Sequence, residues 1–177
     1  MAAPMVLVLG GTRSGKSTFG LSRAIELAEG RPVAFLATAL AGDAELDDRI
    51  RRHRGARPAE WPTIDVGRDL PAALTAAADH VVLLDGLTLW LSALAGDRID
   101  DLDGLLDGPI GRGLGALAAH RAPVVVVSDE IGLGMVPLDP FSRGFRDVQG
   151  IVHQRLAALA GEVVLTVAGL PLWLKPR

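Results

Sequence analysis

Short runs of apolar residues, rich in valine and leucine, recur along the chain. Five of them occupy residues 5–9, 33–37, 81–84, 124–127 and 163–167. Within each run the apolar positions follow one another without regular alternation, and Thr166 is the only polar residue in the five runs. This pattern is typical of strands that are buried on both faces of a parallel sheet. A further short segment, residues 171–174, is compatible with an edge strand.

The segments between these runs predict helices over residues 17–28, 69–78, 103–121 and 141–160. In the second of them, apolar residues recur at helical spacing and share one face: Leu70, Ala73, Leu74 and Ala77. Residues 96–113 and 129–142 are predicted to be rich in loops. Strands that alternate with helices predict an α/β fold, with a mostly parallel sheet and helices on both faces. We expect a single domain over residues 1–177.

Composition excludes several classes of protein. The chain has 177 residues, no cysteine, 4% aromatic residues and a formal net charge of −3. Without cysteine there are no disulfides, thiolate metal ligands or cysteine nucleophiles. The negative charge and the few aromatic rings argue against a general nucleic-acid or membrane binder. The most apolar window, residues 81–95, is too short to span a bilayer, and no secretory signal pattern is evident, so we expect a cytoplasmic protein.

A phosphate-binding motif follows the first apolar run directly and opens the first predicted helix. Its residues fit the pattern G-x-x-x-x-G-K-S/T: Gly10, Gly11, Thr12, Arg13, Ser14, Gly15, Lys16 and Ser17. Glycines let successive backbone N–H groups point at phosphate oxygens, and the helix adds its positive N-terminal end. Lys16 is expected to reach the β- and γ-phosphates, and the Ser17 hydroxyl to ligate Mg²⁺.

Acidic residues follow two of the other predicted strands. Asp85 ends the run at 81–84, which is the pattern of a Walker B strand whose carboxylate serves Mg²⁺. Asp129 and Glu130 follow the run at 124–127 and form a second candidate. Acids after strands also serve as helix N-caps, so this alternative stays open for both positions.

The kind of nucleotide enzyme is narrowed by what the chain lacks. Outside the phosphate-binding motif its only lysine is Lys175, so the lysine-containing guanine motif of Ras-like GTPases does not occur. Motor and ABC ATPases need larger chains. A small-molecule kinase or a nucleotidyltransferase fits the length best.

A basic segment lies between the second and third apolar runs. Five arginines and His53 fall within nine residues, 49–57. Helical spacing places His53 at the end of an otherwise apolar stripe. Arginines favour two-pronged phosphate contacts, and nearby positive charge keeps an imidazole neutral and therefore nucleophilic. A solvated basic helix face and a nucleic-acid patch are the alternatives to this anion site.

Several segments together resemble one family. These are the phosphate-binding motif with Arg13 inside it, Phe35-Leu36-Ala37-Thr38, Arg49-Ile50 with His53, Arg57-Pro58 and Trp61, Leu83-Leu84-Asp85-Gly86-Leu87-Thr88, and Asp129-Glu130-Ile131-Gly132 with Pro137, Arg143, Arg146 and Gln154. In the order and spacing of these segments, the chain resembles the bifunctional adenosylcobinamide kinase/adenosylcobinamide-phosphate guanylyltransferases of cobalamin synthesis. The resemblance implies a P-loop NTPase fold of the RecA-like class.

The resemblance also implies two reactions. ATP or GTP phosphorylates the aminopropanol hydroxyl of adenosylcobinamide, and GMP then passes from GTP through a GMP–histidine, implied to be on His53. Catalytic roles are implied for His53 and Lys16, and a magnesium site is implied at Ser17 and Asp85. Further nucleotide contacts are implied at Thr38, Ala39, Leu40, Arg54, Gly55, Ala56, Arg57, Asp65 and Asp85. A homo-oligomer, a trimer, is also implied.

Some positions depart from the family pattern or stay open. Asp85 stands where glutamate is frequent, and His153 replaces an asparagine that is usual before Gln154; His153 reads as a surface or packing residue. Arg143 and Arg146 are either anion ligands or salt-bridge partners of Asp147. Two other functions stay open: another P-loop small-molecule kinase without covalent guanylylation, and a non-catalytic nucleotide-binding protein.

Overall fold

A computed structural model describes residues 3–38, 58–96 and 101–175. These ranges contain seven strands and six helices. The strands are β1 (Met5–Gly10), β2 (Val33–Ala37), β3 (Thr63–Asp65), β4 (Val81–Asp85), β5 (Val124–Asp129), β6 (Glu162–Val167) and β7 (Leu170–Lys175). The helices are α1 (Lys16–Ala28), α2 (Leu70–Ala76), α3 (Leu87–Ala95), α4 (Leu102–Asp107), α5 (Pro109–Ala119) and α6 (Pro140–Leu159).

All seven strands form one sheet in the order β3-β2-β4-β5-β1-β6-β7. Every pair is parallel except β6 with β7, which form an antiparallel hairpin at one edge. The carboxyl ends of β4, β5 and β1 therefore lie side by side at one edge of the sheet. Open parallel sheets bind their ligands at this edge.

Two layers of apolar side chains cover the sheet. On one face, Val6, Val8, Leu83 and Val127 pack with the buried face of α1. On the other face, inward side chains of the same strands pack with α2, α3, α5 and α6. Because both faces are covered, the strands are apolar at consecutive positions, as the sequence predicts.

Two helical glycines allow helices to approach their neighbours closely. A Cβ at Gly20 in α1 would lie 2.6 Å from Val127 Cγ2, so α1 sits directly on β5. A Cβ at Gly113 in α5 would lie 2.5 Å from the ring of Trp90, which is fully buried. Both positions exclude a side chain unless the neighbour shifts.

The structure confirms the predicted strands and the mostly parallel α/β arrangement. It also contains two elements that the pattern missed. The strand β3 is only three residues long, too short for a hydrophobic period. The helix α3 is apolar around most of its circumference, so it shows no clear amphipathic spacing.

One predicted helix and one predicted loop were wrong in part. The expected helix over 103–121 is two helices, α4 and α5, that meet at Gly108. Pro109 opens α5 because its missing N–H is not needed at the first helical position. Helices therefore occupy much of the stretch 96–113 that was expected to be a loop. The predicted helix that carries His53 lies outside the described residues.

Candidate nucleotide-binding site

The phosphate-binding motif forms the turn between β1 and α1. Arg13 has φ 55° and Gly15 has φ 95°, two left-handed conformations that curl the backbone. A Cβ at Gly15 would lie 3.0 Å from Gly169 Cα, so the position has little room as well as a positive φ. The helix α1 begins at Lys16, and its free N–H groups face the loop. The loop therefore has the form that cradles phosphate.

The hairpin between β6 and β7 supports this loop from behind. The Gly169 N–H donates to the Ser14 carbonyl at 2.9 Å. The Ser14 and Thr166 hydroxyls are 2.9 Å apart, and Thr166 donates to the Leu9 carbonyl at 3.2 Å. These contacts join residues about 150 positions apart. Sequence reasoning missed this support, since nothing in the local pattern marks Thr166 or Gly169.

Lys16 pairs with a carboxylate from β5. Its Nζ lies 2.6 Å from Asp129 Oδ1 and donates to the Gly11 carbonyl at 3.2 Å. Lys16 is only 5% exposed, so it needs a compensating charge. Of the two acids after β5, Asp129 is therefore the one that meets the phosphate-binding lysine.

Ser17 and Asp85 also come together. The Ser17 hydroxyl donates to Asp85 Oδ1 at 3.3 Å. The two side chains come from α1 and from the carboxyl end of β4, with β5 between β4 and β1. A hydroxyl and a carboxylate are hard oxygen ligands, and Mg²⁺ in phosphate-transfer sites uses few such protein ligands beside phosphates and water. Within the described residues, no group of three or more histidine, aspartate or glutamate side chains could hold a metal by itself.

Two other predicted contacts have different positions. Thr38 is buried, and its hydroxyl lies 2.8 Å from the Gly86 carbonyl and 3.4 Å from the Asp85 carbonyl. It therefore fixes the turn after β4, next to the magnesium ligands proposed from sequence. Asp65 ends β3 at the same edge of the sheet, but four strand spacings from β1, or about 19 Å. The structure does not bring Asp65 to the phosphate-binding loop.

A polar cluster lies beneath the carboxyl end of β5. The Thr88 hydroxyl accepts from the Asp129 N–H at 3.0 Å and from Gln149 Nε2 at 3.1 Å. Gln149 Nε2 also contacts the Asp129 carbonyl, and Ser128 Oγ lies 2.8 Å from His153 Nε2. These contacts fix the end of β5 and with it the position of Asp129.

His153 belongs to this cluster. Its Nδ1 lies 3.7 Å from Glu130 Oε2. Burial lowers the pKa of His153, although the nearby carboxylates of Glu130 and Asp129 oppose the shift. His153 is therefore a buried packing residue with a neutral imidazole, in agreement with the packing interpretation.

Arg143 and Arg146 hold the loop that follows β5. Arg143 donates to the carbonyls of Pro137 and Leu138, at 3.1 and 2.6 Å. Arg146 donates to the carbonyls of Met135 and Gly132, at 2.8 and 3.0 Å. These four hydrogen bonds go to backbone carbonyls of the loop, so both arginines support the loop backbone.

Several predicted site residues lie outside the described residues. They are Ala39, Leu40, His53, Arg54, Gly55, Ala56 and Arg57. Their roles at the site stay predictions.

The family model described as cobinamide kinase / cobinamide phosphate guanyltransferase matches residues 6–174. The chain belongs to this family. Curated proteins of this family align with almost the whole chain. The bifunctional adenosylcobalamin biosynthesis protein CobP of Pseudomonas aeruginosa is 42% identical over 171 residues, which is 96% of each chain. The corresponding CobU protein of Salmonella typhimurium is 36% identical over 183 residues, 97% of this chain and 99% of the relative.

Solved structures show the fold of this cobinamide kinase family member. The flagellar accessory protein FlaH of Methanocaldococcus jannaschii aligns with a TM-score of 0.54 at 15% identity, over 99% of this chain and 80% of that chain. The KaiC-like protein PH0186 of Pyrococcus horikoshii gives a TM-score of 0.53 at 16% identity, over 93% and 71% of the two chains. These matches confirm the predicted RecA-like fold. None of the helices in the described ranges is both long and apolar enough to cross a bilayer.

Proposed function

We propose that this chain is a bifunctional transferase of cobalamin nucleotide-loop assembly. It phosphorylates adenosylcobinamide with ATP or GTP, and then transfers GMP from GTP to the product, giving adenosylcobinamide-GDP and pyrophosphate. The chain belongs to the cobinamide kinase family, and its phosphate-binding loop brings Lys16 to Asp129 and Ser17 to Asp85. This arrangement is the observation that supports the proposal best.

The phosphoryl transfer uses the phosphate-binding loop. Backbone N–H groups of residues 10–17 bind the β- and γ-phosphates, and Lys16 neutralises the charge that develops on the transferred group. The acceptor hydroxyl attacks the γ-phosphorus and releases its proton to water, the bond between the γ-phosphorus and the β–γ bridging oxygen breaks, and the nucleoside diphosphate leaves. Asp129 holds the ammonium of Lys16 in place beside the loop before the nucleotide arrives.

Ser17 and Asp85 suit Mg²⁺. They present a hydroxyl and a carboxylate oxygen 3.3 Å apart at the entrance of the cradle. When bound, the ion would draw charge from the phosphate oxygens of the nucleotide. Thr38 fixes the turn after β4, next to Asp85, through its contacts with the Asp85 and Gly86 carbonyls.

The guanylyl transfer uses His53. A neutral imidazole nitrogen attacks the α-phosphorus of GTP, and pyrophosphate leaves as the bond between the α-phosphorus and its bridging oxygen breaks. A phosphate oxygen of adenosylcobinamide phosphate then attacks the same phosphorus and releases His53. We assign the nucleotide contacts of this step to Thr38, Ala39, Leu40, Arg54, Gly55, Ala56, Arg57 and Asp65. We further propose a homotrimer that works in the cytoplasm.

Turnover of adenosylcobinamide tests the proposal. The purified protein, with ATP or GTP and Mg²⁺, should convert adenosylcobinamide first to its phosphate and then, with GTP, to the GDP derivative. The variant Lys16→Ala should lose most of both activities. A parent protein that does not phosphorylate adenosylcobinamide would contradict the proposal. Phosphorylation without formation of the GDP derivative would show that the chain is a kinase without guanylyltransferase activity.

A further inference from the structure

The loop after β5 exposes an unusually apolar surface. Residues 131–138 contain no polar side chain, although 22% of the chain is charged. Leu133, Met135 and Leu138 are 83%, 95% and 97% exposed, and Val136 is also exposed. We call residues 131–138 the apolar loop. Such a surface costs solvation free energy unless something covers it, and contiguous exposed apolar patches mark binding sites.

The apolar loop is held in one conformation by hydrogen bonds to its backbone. Arg143 and Arg146 donate four hydrogen bonds to its carbonyls. Glu130 accepts from the Gly132 N–H at 2.5 Å at the start of the loop. Asp139, just after it, caps α6 by accepting from the Ser142 N–H at 2.8 Å. The apolar side chains are therefore presented on a supported backbone, which lowers the entropy that a ligand must remove on binding.

The apolar loop begins at the nucleotide cradle. Asp129, two residues before it, pairs with Lys16, and the Glu130 N–H donates to the Gly10 carbonyl at 3.0 Å. The loop lies on the β5 side of β1, which is also the side of Asp85. The groups expected to serve the γ-phosphate are on this side. A molecule that rests on the apolar loop is therefore next to the phosphate that is transferred.

The exposed leucines of β7 do not share this position. Leu170, Leu172 and Leu174 lie on β7, at the opposite side of β1 from β5. Leu174 lies near the start of β6, at the amino-terminal edge of the parallel strands. These side chains therefore lie away from the side of the cradle that carries Asp85 and Asp129.

We propose that the apolar loop is the seat of the corrinoid macrocycle of the acceptor. This inference rests on the proposed function and deepens it. The acceptor is a large ring with apolar, methyl-bearing faces and a rim of amide side chains, and a flexible arm ends in the reacting hydroxyl. The ring needs a broad apolar support within reach of the γ-phosphate, and the loop supplies leucine, valine and the adaptable side chain of Met135. The arm then reaches the cradle beside Lys16 and Asp129.

The test is a double substitution, Leu133→Ser with Met135→Ser, in the full-length protein. Both side chains are exposed, so the fold should keep its melting temperature. We expect the KM for adenosylcobinamide to rise about tenfold or more, because two apolar contacts are lost, while the KM for ATP stays within about twofold. The matched control is Leu174→Ser, an exposed leucine away from the cradle, which should leave both KM values unchanged.

Three results would overturn the inference. The first is an unchanged KM for adenosylcobinamide in the double variant. The second is an equal rise in the control. The third is a change in oligomeric state in light scattering, which would make the loop a contact between copies of the chain. If the parent itself does not phosphorylate adenosylcobinamide, the proposed function fails, and the inference fails with it; the other three outcomes leave the proposed function intact.

Discussion

The ion pair between Lys16 and Asp129 leads to the sharpest prediction on stability. Lys16 is 5% exposed, and its Nζ lies 2.6 Å from Asp129 Oδ1. Removing one partner of a fully buried pair costs about 3–5 kcal/mol, because the other charge stays buried without compensation. The Asp129 side chain is 26% exposed, so solvent screens part of the attraction. For Asp129→Asn we therefore expect a loss of about 2–3 kcal/mol in the free energy of unfolding.

For a chain of this length, that loss corresponds to a melting temperature lower by about 4–12 °C. The assay is thermal unfolding followed by circular dichroism, without nucleotide. The control Asp147→Asn makes the same chemical change at an exposed position of α6 and should shift the midpoint by less than about 2 °C. Saturating GTP with Mg²⁺ should narrow the deficit of Asp129→Asn, because phosphate oxygens then compensate Lys16.

Two results would show that Asp129 does not stabilise the protein by compensating Lys16. If Asp129→Asn melts with the parent, Lys16 does not depend on the carboxylate. If the double variant Lys16→Met with Asp129→Asn is no more stable than Asp129→Asn alone, the loss does not come from an uncompensated lysine.

Three further predictions concern packing, pH and metal. Gly113→Ala in α5 should destabilise the protein by about 1–3 kcal/mol, because its Cβ would meet the Trp90 ring. A Cβ at Gly115 in the same helix meets nothing within 4 Å, so Gly115→Ala should stabilise the protein slightly. Chemical denaturation measures both variants, and equal effects would contradict the packing argument. The pKa of His153 is lowered in the folded protein, so the unfolded chain binds the proton more readily and stability should fall as pH drops below about 6.5. The difference between the unfolding free energies at pH 7.5 and 5.5 should be smaller in His153→Asn than in the parent. An unchanged difference would assign the pH dependence to other groups. Asp85→Asn should raise the Mg²⁺ concentration that half-saturates kinase activity by about tenfold or more, and an unchanged magnesium titration would remove Asp85 from the metal site.

The cradle was predictable because its cause is local. A glycine-rich turn between a buried strand and a helix needs only about eight consecutive residues, and Gly10 to Ser17 supply them. Asp85 was predictable because a parallel strand that ends in an acid places it at the ligand-binding edge. Asp129 followed the same logic, but only the structure shows that its carboxylate, and not that of Glu130, contacts Lys16.

The support of the cradle was not predictable, because its causes are distant in the chain. Thr166 and Gly169 contact the loop through the β6–β7 hairpin, and Gln149 reaches β5 from α6. The break at Gly108 was missed for a different reason. The apolar spacing continues across it, while the missing N–H of Pro109 starts a new helix.

A covalent GMP–histidine distinguishes the proposed enzyme from an ordinary P-loop kinase, and intact-protein mass spectrometry detects it. After incubation with GTP and Mg²⁺, and without a corrinoid, the parent should gain about 345 Da, the mass of one GMP unit bound to a histidine nitrogen. His153→Asn, which alters a different histidine, should gain the same mass. His53→Asn should gain nothing while it retains phosphorylation of adenosylcobinamide by ATP. An unmodified parent, or the same adduct on His53→Asn, would rule out covalent guanylylation of His53.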